Sequence, residues 1–296
     1  MADHLTQQAA TLLEAPDAVR VRFIRSPRWI RYPRANQILQ QMEDLLDHPK
    51  MHRMPGLLIV GDTNNGKTEV VQRFEKLHPP NENPQGDRTT IPVLRIQAPP
   101  IPEEKRFYNA ILEQLFMEYR PNERVERKQA QVINLLGDLN VRMLMIDEIH
   151  HVLAGTMNKQ RAFLNVIKYL ANELQIPIVA AGIKDAHSAL QTDPQLANRF
   201  EPTPLPRWEI GEDLKRLLRS FEQILPLREP SALSSDEMSL KILSMSEGTI
   251  GEIDSLLRLG AIEAIRRGKE RIDAKLLEGL RWMPPSRRKW WSEQGG

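Results

Sequence analysis

Gly61-Asp62-Thr63-Asn64-Asn65-Gly66-Lys67-Thr68 follows the apolar run Gly56-Leu57-Leu58-Ile59-Val60 and precedes Glu69-Val70-Val71-Gln72-Arg73-Phe74, a segment of helical character. The eight residues satisfy the pattern G-x-x-x-x-G-K-[ST], and the spacing has a physical reason. Glycine at both ends lets the backbone curl until successive N–H groups converge on one anion, and the helix that follows adds the positive end of its dipole. Lys67 is then placed to reach the β- and γ-phosphates of a nucleotide. Thr68 puts its hydroxyl on Mg²⁺, a cation that demands octahedral oxygen ligation. The bland alternative is a chance match in a polar turn. Strand, loop, helix is the context the phosphate reading requires, and it is the context found.

Val141-Arg142-Met143-Leu144-Met145-Ile146-Asp147-Glu148-Ile149-His150-His151 supplies the second half of such a site. A near-continuous apolar run ending in two acids fits a buried parallel strand whose carboxyl end meets a ligand crevice. There Asp147 would hold Mg²⁺ and Glu148 would polarise the water that attacks the γ-phosphate. An acidic pair at a strand end is by itself more often a helix cap. Its position downstream of Lys67, in the order a nucleotide site needs, strengthens both motifs together. His150 and His151 lack a third ligand at suitable spacing, so they read as surface or interface histidines rather than a metal site.

The chain has 296 residues, 41% hydrophobic and 27% charged, with no cysteine and a formal net charge of +2. That length holds one large or two modest domains. The missing cysteines exclude disulfides, thiol chemistry and Cys-ligated zinc. No apolar run approaches a membrane span and the first residues carry no secretion signal, so the expected location is the cytoplasm. A net charge this small neither demands nor excludes nucleic acid.

Between these motifs the periodicity alternates. Residues 35–47 read as a helix, 78–90 as a loop, 91–97 as a strand, 103–119 and 123–139 as helices, 157–174 as an amphipathic helix and 176–182 as a buried strand. Alternation of this kind predicts a parallel sheet flanked by helices. At the end of the last strand stand Gly182, Ile183 and Lys184, so sensing of a γ-phosphate there falls to Lys184 or to backbone. Arg199, in Leu196-Ala-Asn-Arg-Phe-Glu201, is a candidate arginine finger for a neighbouring subunit, against the alternative of a salt-bridged structural arginine. From Trp208 the pattern is all-helical, with helices near 211–225, 234–246, 249–267 and 273–280. The domain plan is therefore an arm at 1–34, a nucleotide-binding α/β domain at 35–209, a smaller helical lid at 210–280 and a tail at 281–296.

Three segments are basic. Arg20 to Arg34 interleaves arginines with Phe23, Trp29 and Tyr32; it reads as an arm packed on the nucleotide domain or a neighbouring subunit, with its arginines on the solvated side, rather than as a nucleic-acid contact. Lys105, Arg106, Arg120, Arg124, Arg127 and Lys128 could line a positive surface, although for any single one of them a solvated helical face balanced by Glu103, Glu104, Glu123 and Glu126 is the stronger reading. The tail mixes Arg287, Arg288 and Lys289 with Trp282, Trp290 and Trp291. It reads as flexible until it meets a partner, with a partner protein ranked before DNA or a neighbouring subunit.

The phosphate loop G-D-T-N-N-G-K-T, the strand end M-I-D-E-I-H-H, the A-N-R-F segment and the lid opening E-G-T-I-G-E-I resemble AAA+ ATPases, specifically the TniB/TnsC group of transposon-encoded regulators, with MuB a more distant relative. Trp29-Ile30-Arg31-Tyr32-Pro33 and Arg53-Met54-Pro55 extend the likeness to the lead-in. The resemblance implies an α/β P-loop fold with a helical lid and an ATP- and Mg²⁺-dependent ATPase. It further implies a homo-oligomer, ring or helical filament, on double-stranded DNA without strong sequence preference. Its partners would be a TniA-like transposase and a TniQ-like adaptor, in the bacterial cytoplasm at the nucleoid. By region, the family pattern directs DNA contact to Lys105, Arg106, Arg124, Arg127 and Lys128. Where many members carry a second sensing arginine in the lid, this chain has Gly251.

Overall fold

The computed structural model describes residues 3–82 and 89–294, the side chains as far as residue 291. The chain runs α1 (Gln7–Ala10), α2 (Asp17–Arg25), α3 (Pro33–Leu46), β1 (Gly56–Gly61), α4 (Lys67–Leu77), β2 (Val93–Gln97), α5 (Glu104–Gln114), α6 (Val125–Asp138), β3 (Met143–Asp147), a 3-10 helix (Ile149–Ala154), α7 (Met157–Leu174), β4 (Ile178–Gly182), α8 (Lys184–Gln191), α9 (Pro194–Ala197), β5 (Phe200–Leu205), α10 (Glu212–Ile224), α11 (Asp236–Ser246), α12 (Ile250–Arg266), α13 (Ala274–Glu278) and α14 (Pro285–Gln294). Part of the loop expected at 78–90, residues 83–88, lies outside the described residues. Contacts divide the chain into two compact units, Gln37–Leu205 and Met1–Asn36 with Pro206–Gly296.

In Gln37–Leu205 the strands form one sheet in the order β2-β3-β4-β1-β5, and every neighbouring pair is parallel. All carboxyl ends therefore share one edge. β4 lies between β1, which feeds the phosphate loop, and β3, which ends in the acids. Leu58, Leu94, Ile96, Leu144, Ile146, Ile178 and Ala180 pack in one core with Phe107, Ile111, Val132, Phe163 and Ile167 of α5, α6 and α7. The two-residue period turns Leu57, Ile59, Met143, Met145 and Val179 to the opposite face. α4 packs along β1 to β4 and buries Val70, Val71 and Phe74. With both faces covered, the strands need no polar alternation, which is why they read as near-continuous apolar runs.

β5 is a strand that periodicity does not announce, because Phe200-Glu-Pro-Thr-Pro-Leu205 contains two prolines. It is an edge strand, paired with β1 alone. Arg199 O accepts from Gly56 N at 2.8 Å, so odd-numbered residues face β1. Pro202 and Pro204 then point their missing N–H groups outward, where no ladder bond is lost.

The other unit is helical apart from short connections, and it includes the N-terminal arm. Arg20 is 1% exposed. Its guanidinium donates to Glu270 Oε1 at 2.9 Å and to Pro226 O at 2.7 Å. Arg28 stacks over the Phe23 ring at 3.4 Å and donates to Ile224 O at 3.0 Å. Tyr32 meets Trp208 edge to face at 5.2 Å, and Arg258 donates to Arg25 O at 2.9 Å. The arm thus packs with the C-terminal helices, and Arg20 is a buried ion-pair member rather than part of a solvated side. The tail forms α14, with Trp282 Nε1 donating to Met245 O at 2.8 Å and Arg288 paired with Glu252. Trp290 and Trp291 are exposed. No helix among the described residues is long and apolar enough to cross a membrane.

Arg20→Ala would leave the Glu270 carboxylate, 17% exposed, with only Arg228, whose Nε is 4.0 Å away and whose backbone N–H donates to it at 3.2 Å. Removing one partner of a buried pair costs about 3 kcal/mol, since the remaining charge keeps its desolvation penalty. Urea unfolding measures this, and a loss below about 1 kcal/mol would show that Arg20 is not what holds the arm.

Candidate functional site

The phosphate loop takes its shape from backbone that few side chains permit. Gly66 caps α4 in the left-handed region at φ 84°, and Asn64 is there too at φ 61°. A Cβ on Gly61 would stand 3.0 Å from Leu205 O, tighter than most real Cβ contacts, so β5 would have to give way for a side chain there. Asn65 is 2% exposed and donates through Nδ2 to Leu205 O at 2.8 Å, fastening the loop to β5. Lys67 is buried in the first turn of α4, and its Nζ donates to Gly61 O at 3.0 Å and Asp62 O at 2.8 Å. Burial lowers the Lys67 pKa, opposed by the charges of Glu148, Asp147 and Asp62. A cation is thus held in the mouth of the loop, with Thr63 and Asn64 on its exposed rim and Thr68 half-buried behind it.

Asp147 ends β3, is 3% exposed and accepts from Glu148 N through Oδ1 at 2.9 Å. Glu148 then turns into the left-handed region at φ 55° and ψ 36°. For a residue with a Cβ that conformation costs about 1–2 kcal/mol, and such strain gathers at functional sites. It aims consecutive acids in different directions. His150 Nδ1 lies 3.1 Å from Glu148 Oε2, at an angle that makes no hydrogen bond, and is otherwise buried without a partner. Burial lowers the His150 pKa, with Glu148 opposing, so the ring is neutral near pH 7. His151 Nδ1 is 3.0 Å from Ala98 O. The 3-10 turn brings ligand atoms of Glu148, His150 and His151 within 4.8 Å of one another, so the third group that the spacing did not supply is the acid itself.

Gly182, at the carboxyl end of β4, sits between the two motifs. A Cβ there would be 2.9 Å from Ile149 and from Ala186, so glycine lets the 3-10 helix and α8 close on the strand. Lys184, which follows, is mostly exposed, and its Nζ is 3.9 Å from Asp62 Oδ1. Lys67, Asp147, Glu148 and Lys184 thus share one edge of the sheet.

Arg199 is at the other edge. It precedes β5 and its carbonyl accepts from Gly56 N, the start of β1. The six-residue β1 separates it from Gly61 by about 17 Å at ~3.3 Å per residue, farther than its side chain spans. Arg199 Nη1 donates to Asn172 Oδ1 at 2.9 Å. No described carboxylate forms an ion pair with it, against the salt-bridged alternative. Beside it stands Arg53 from the loop before β1, which the sequence marked only as part of the lead-in and to which it gave no role; the two arginines line one cavity of about 410 Å³.

Of the residues assigned to DNA, Arg124 is exposed, Lys105 is half-buried, Arg106 pairs with Glu103 at 2.9 Å and Arg127 with Glu123 at 3.3 Å. Lys128 is a correction. It is fully buried, its Nζ 2.5 Å from Asn109 Oδ1 and 4.0 Å over the Tyr119 ring, so it ties α6 to α5 and does not face solvent.

The donor set fits a nucleotide with a hard divalent cation. A glycine-shaped loop at a helix N-terminus and a buried ammonium suit phosphate oxygens. A buried carboxylate and a hydroxyl, all-oxygen ligands, suit Mg²⁺.

Comparison with solved structures finds the same fold in several proteins. The Aeropyrum pernix ORC2 protein, solved as ADPNP-ADP complexes, matches with TM-score 0.61 and 15% identity, covering 86% of this chain and 70% of that one. CDC6P from Pyrobaculum aerophilum matches with TM-score 0.57 and 17% identity, covering 87% and 68%. The Aeropyrum pernix ORC1 protein, solved in complex with DNA, matches with TM-score 0.57 and 18% identity, covering 87% and 67%. At such identities the likeness is one of fold, the AAA+ ATPase fold. Comparison with curated protein sequences gives no match. The family described as Bacterial TniB protein matches residues 20–210, most of the chain and both nucleotide motifs, and the chain belongs to that family.

Proposed function

We propose that this TniB-family chain is an ATPase whose nucleotide state governs assembly of a homo-oligomer on double-stranded DNA, where it marks a target and recruits or activates a TniA-like transposase, with a TniQ-like adaptor as a further partner. The observation that carries the assembly is the separation of Arg199 from Lys67, Asp147 and Glu148 by the length of β1. One chain offers its phosphate loop and acids at one edge and an arginine without a carboxylate at the other. A second copy whose Arg199 faces the first copy's loop would complete both.

In this reading the N–H groups of Gly61 to Thr68 and the Lys67 ammonium bind the β- and γ-phosphates. To do so Nζ exchanges two loop carbonyls for phosphate oxygens. Thr68 and Asp147 hold Mg²⁺, which when bound neutralises charge on the phosphate oxygens. Glu148 orients the attacking water and takes its proton, and the left-handed turn frees its carboxylate from the metal-holding role of Asp147. His150, whose pKa burial lowers, faces Glu148 without a hydrogen bond and leaves its carboxylate free to meet the water. Arg199 stabilises charge that develops as the bond to the leaving ADP breaks. The exposed Arg106, Arg124 and Arg127, with the half-buried Lys105, supply phosphate-backbone contacts, which predicts affinity for duplex DNA falling steeply as salt rises.

Glu148→Gln is expected to bind ATP as the parent does, hydrolyse it about 10²–10³-fold more slowly and trap the DNA-bound oligomer. Parent turnover in that variant would remove Glu148 from the chemistry. Arg199→Ala should lose turnover while its monomer still binds nucleotide; unchanged turnover would end the finger role. Electron microscopy of the protein with duplex DNA and a non-hydrolysable ATP analogue is expected to show rings or filaments. Isolated particles, with no nucleotide-dependent mobility shift of duplex DNA, would favour a signalling ATPase that does not touch DNA. Rings or filaments with no response from a transposase would favour a replication helper such as a helicase loader.

A further inference from the structure

Arg199 does not stand alone at its edge of the sheet. The hydrogen bond from Gly56 N to Arg199 O, 2.8 Å, brings the loop before β1 against the turn before β5, and Arg53 comes with it. Both arginines line the same open cavity, whose wall also includes His48, Met51, Gln195 and Asn198. Arg53 is exposed and Arg199 half-buried. Burial lowers the pKa of Arg199 and the like charge of Arg53 lowers it further, with Asp193 opposing. Asp193 is already engaged: Lys168 Nζ is 2.6 Å away, and the backbone N–H groups of Gln195 and Leu196 donate to the same carboxylate. Among the described residues, then, two guanidiniums face one cavity and no carboxylate forms an ion pair with either.

Like charges in one partly desolvated place repel, and folded chains usually intersperse acids to prevent it. An unpaired pair of guanidiniums makes energetic sense when an anion of two or more charges sits between them. Their planar forks suit phosphoryl oxygens, which accept two parallel hydrogen bonds from each. Free phosphate and the terminal phosphoryl group of a nucleotide share that chemistry. The cavity lies at the amino edge of the sheet, away from the chain's own phosphate loop, so the nucleotide concerned would be held by another molecule.

We propose that Arg53 and Arg199 together form a two-guanidinium half-site for the terminal phosphoryl group of a nucleotide bound in the phosphate loop of a second copy of this chain. The inference rests on the trans role of Arg199 proposed above and adds Arg53 as a second catalytic residue. Neither guanidinium transfers a proton. Water gives its proton to Glu148 of the copy that holds the nucleotide and adds to the γ-phosphorus, the bond to the β,γ-bridging oxygen breaks, and the electron pair leaves with ADP. The two cations neutralise the charge spread over the γ-oxygens during that exchange.

The test mixes subunits. Arg53→Ala and Arg199→Ala are each combined with Lys67→Ala, which cannot use its own phosphate loop but carries both arginines. Alone, Arg53→Ala is expected to hydrolyse ATP about 10–100-fold more slowly while binding it normally, and Lys67→Ala to be inactive. Mixed, the two should recover much of the parent rate, because the first supplies an intact loop and the second an intact arginine pair. Recovery also requires the Arg53→Ala subunit to be folded. If that variant does not fold, Arg53→Lys, which keeps the charge and loses the fork, should be impaired and restored in the same way. Parent activity in Arg53→Ala alongside an inactive Arg199→Ala would overturn the role of Arg53 and leave the finger standing. Impairment without recovery would place Arg53 in its own chain's stability and also overturn the proposal. Parent activity in Arg199→Ala would overturn the trans reading itself. Inorganic phosphate is the control for the other source: stabilisation of the monomer by millimolar phosphate, lost in Arg53→Ala, would make the pair a free-anion site and overturn the half-site.

Discussion

The pairing of β5 with β1 is the constraint from which the rest of the α/β unit takes its meaning. At the amino edge Gly56 N bonds Arg199 O; at the carboxyl edge Asn65 Nδ2 bonds Leu205 O, and Gly61 lies so close to Leu205 that a side chain there would displace the strand. One two-strand ladder therefore fixes both the curvature of the phosphate loop and the station of the arginine. Neither can shift by more than the ladder allows without breaking buried backbone hydrogen bonds, each worth roughly 1–3 kcal/mol when left unmade. A rigid strut joins an anion-binding loop at one end to a cation cluster at the other.

Within the carboxyl edge, buried charge is managed by local satisfaction. Lys67 is held by two carbonyls of the loop it serves, and Asp147 by the next backbone N–H. Glu148 differs: its carboxylate faces a neutral imidazole at 3.1 Å without a hydrogen bond. Its side chain is 32% exposed, so water can reach the carboxylate, and the strained backbone that carries it comes at a cost of stability. That contrast between two adjacent acids, one satisfied and one held ready, separates their proposed roles better than their order in the sequence does.

The sequence disclosed these motifs because each depends on residues near one another in the chain. Gly61 to Thr68 and Asp147-Glu148 carry their own local rules, and α7 begins and ends where its period says, at Met157 and Leu174. What escaped depends on tertiary partners. β5 was hidden by two prolines that an edge position tolerates. Lys128 counted as a surface charge until Asn109 and Tyr119, distant in sequence, closed over it. The arginines of the arm looked solvated because Glu270, which buries Arg20, is 250 residues away. Arg53 stands out in the sequence only as part of the lead-in segment Arg53-Met54-Pro55, three residues before the strand that carries the phosphate loop; its role has no local signal, because the turn before β5 supplies its neighbour.

The polarity of the α/β unit restricts how copies can combine. Its nucleotide-facing acids and loop lie at one edge of a parallel sheet and its unpaired guanidiniums at the other. A two-fold interface sets the same patch of each copy against itself, so it would face arginines with arginines or acids with acids. Complementarity requires the head of one copy to meet the tail of the next, and a head-to-tail contact repeats: it closes into a ring if the rotation returns to its start and otherwise continues as a helix. In such an assembly every interior copy both donates arginines and receives them. A ring has no unfinished site, whereas a filament keeps one incomplete site at an end. In the proposed function hydrolysis would then be blocked at that end and free elsewhere, a difference that arises from the direction of the sheet alone.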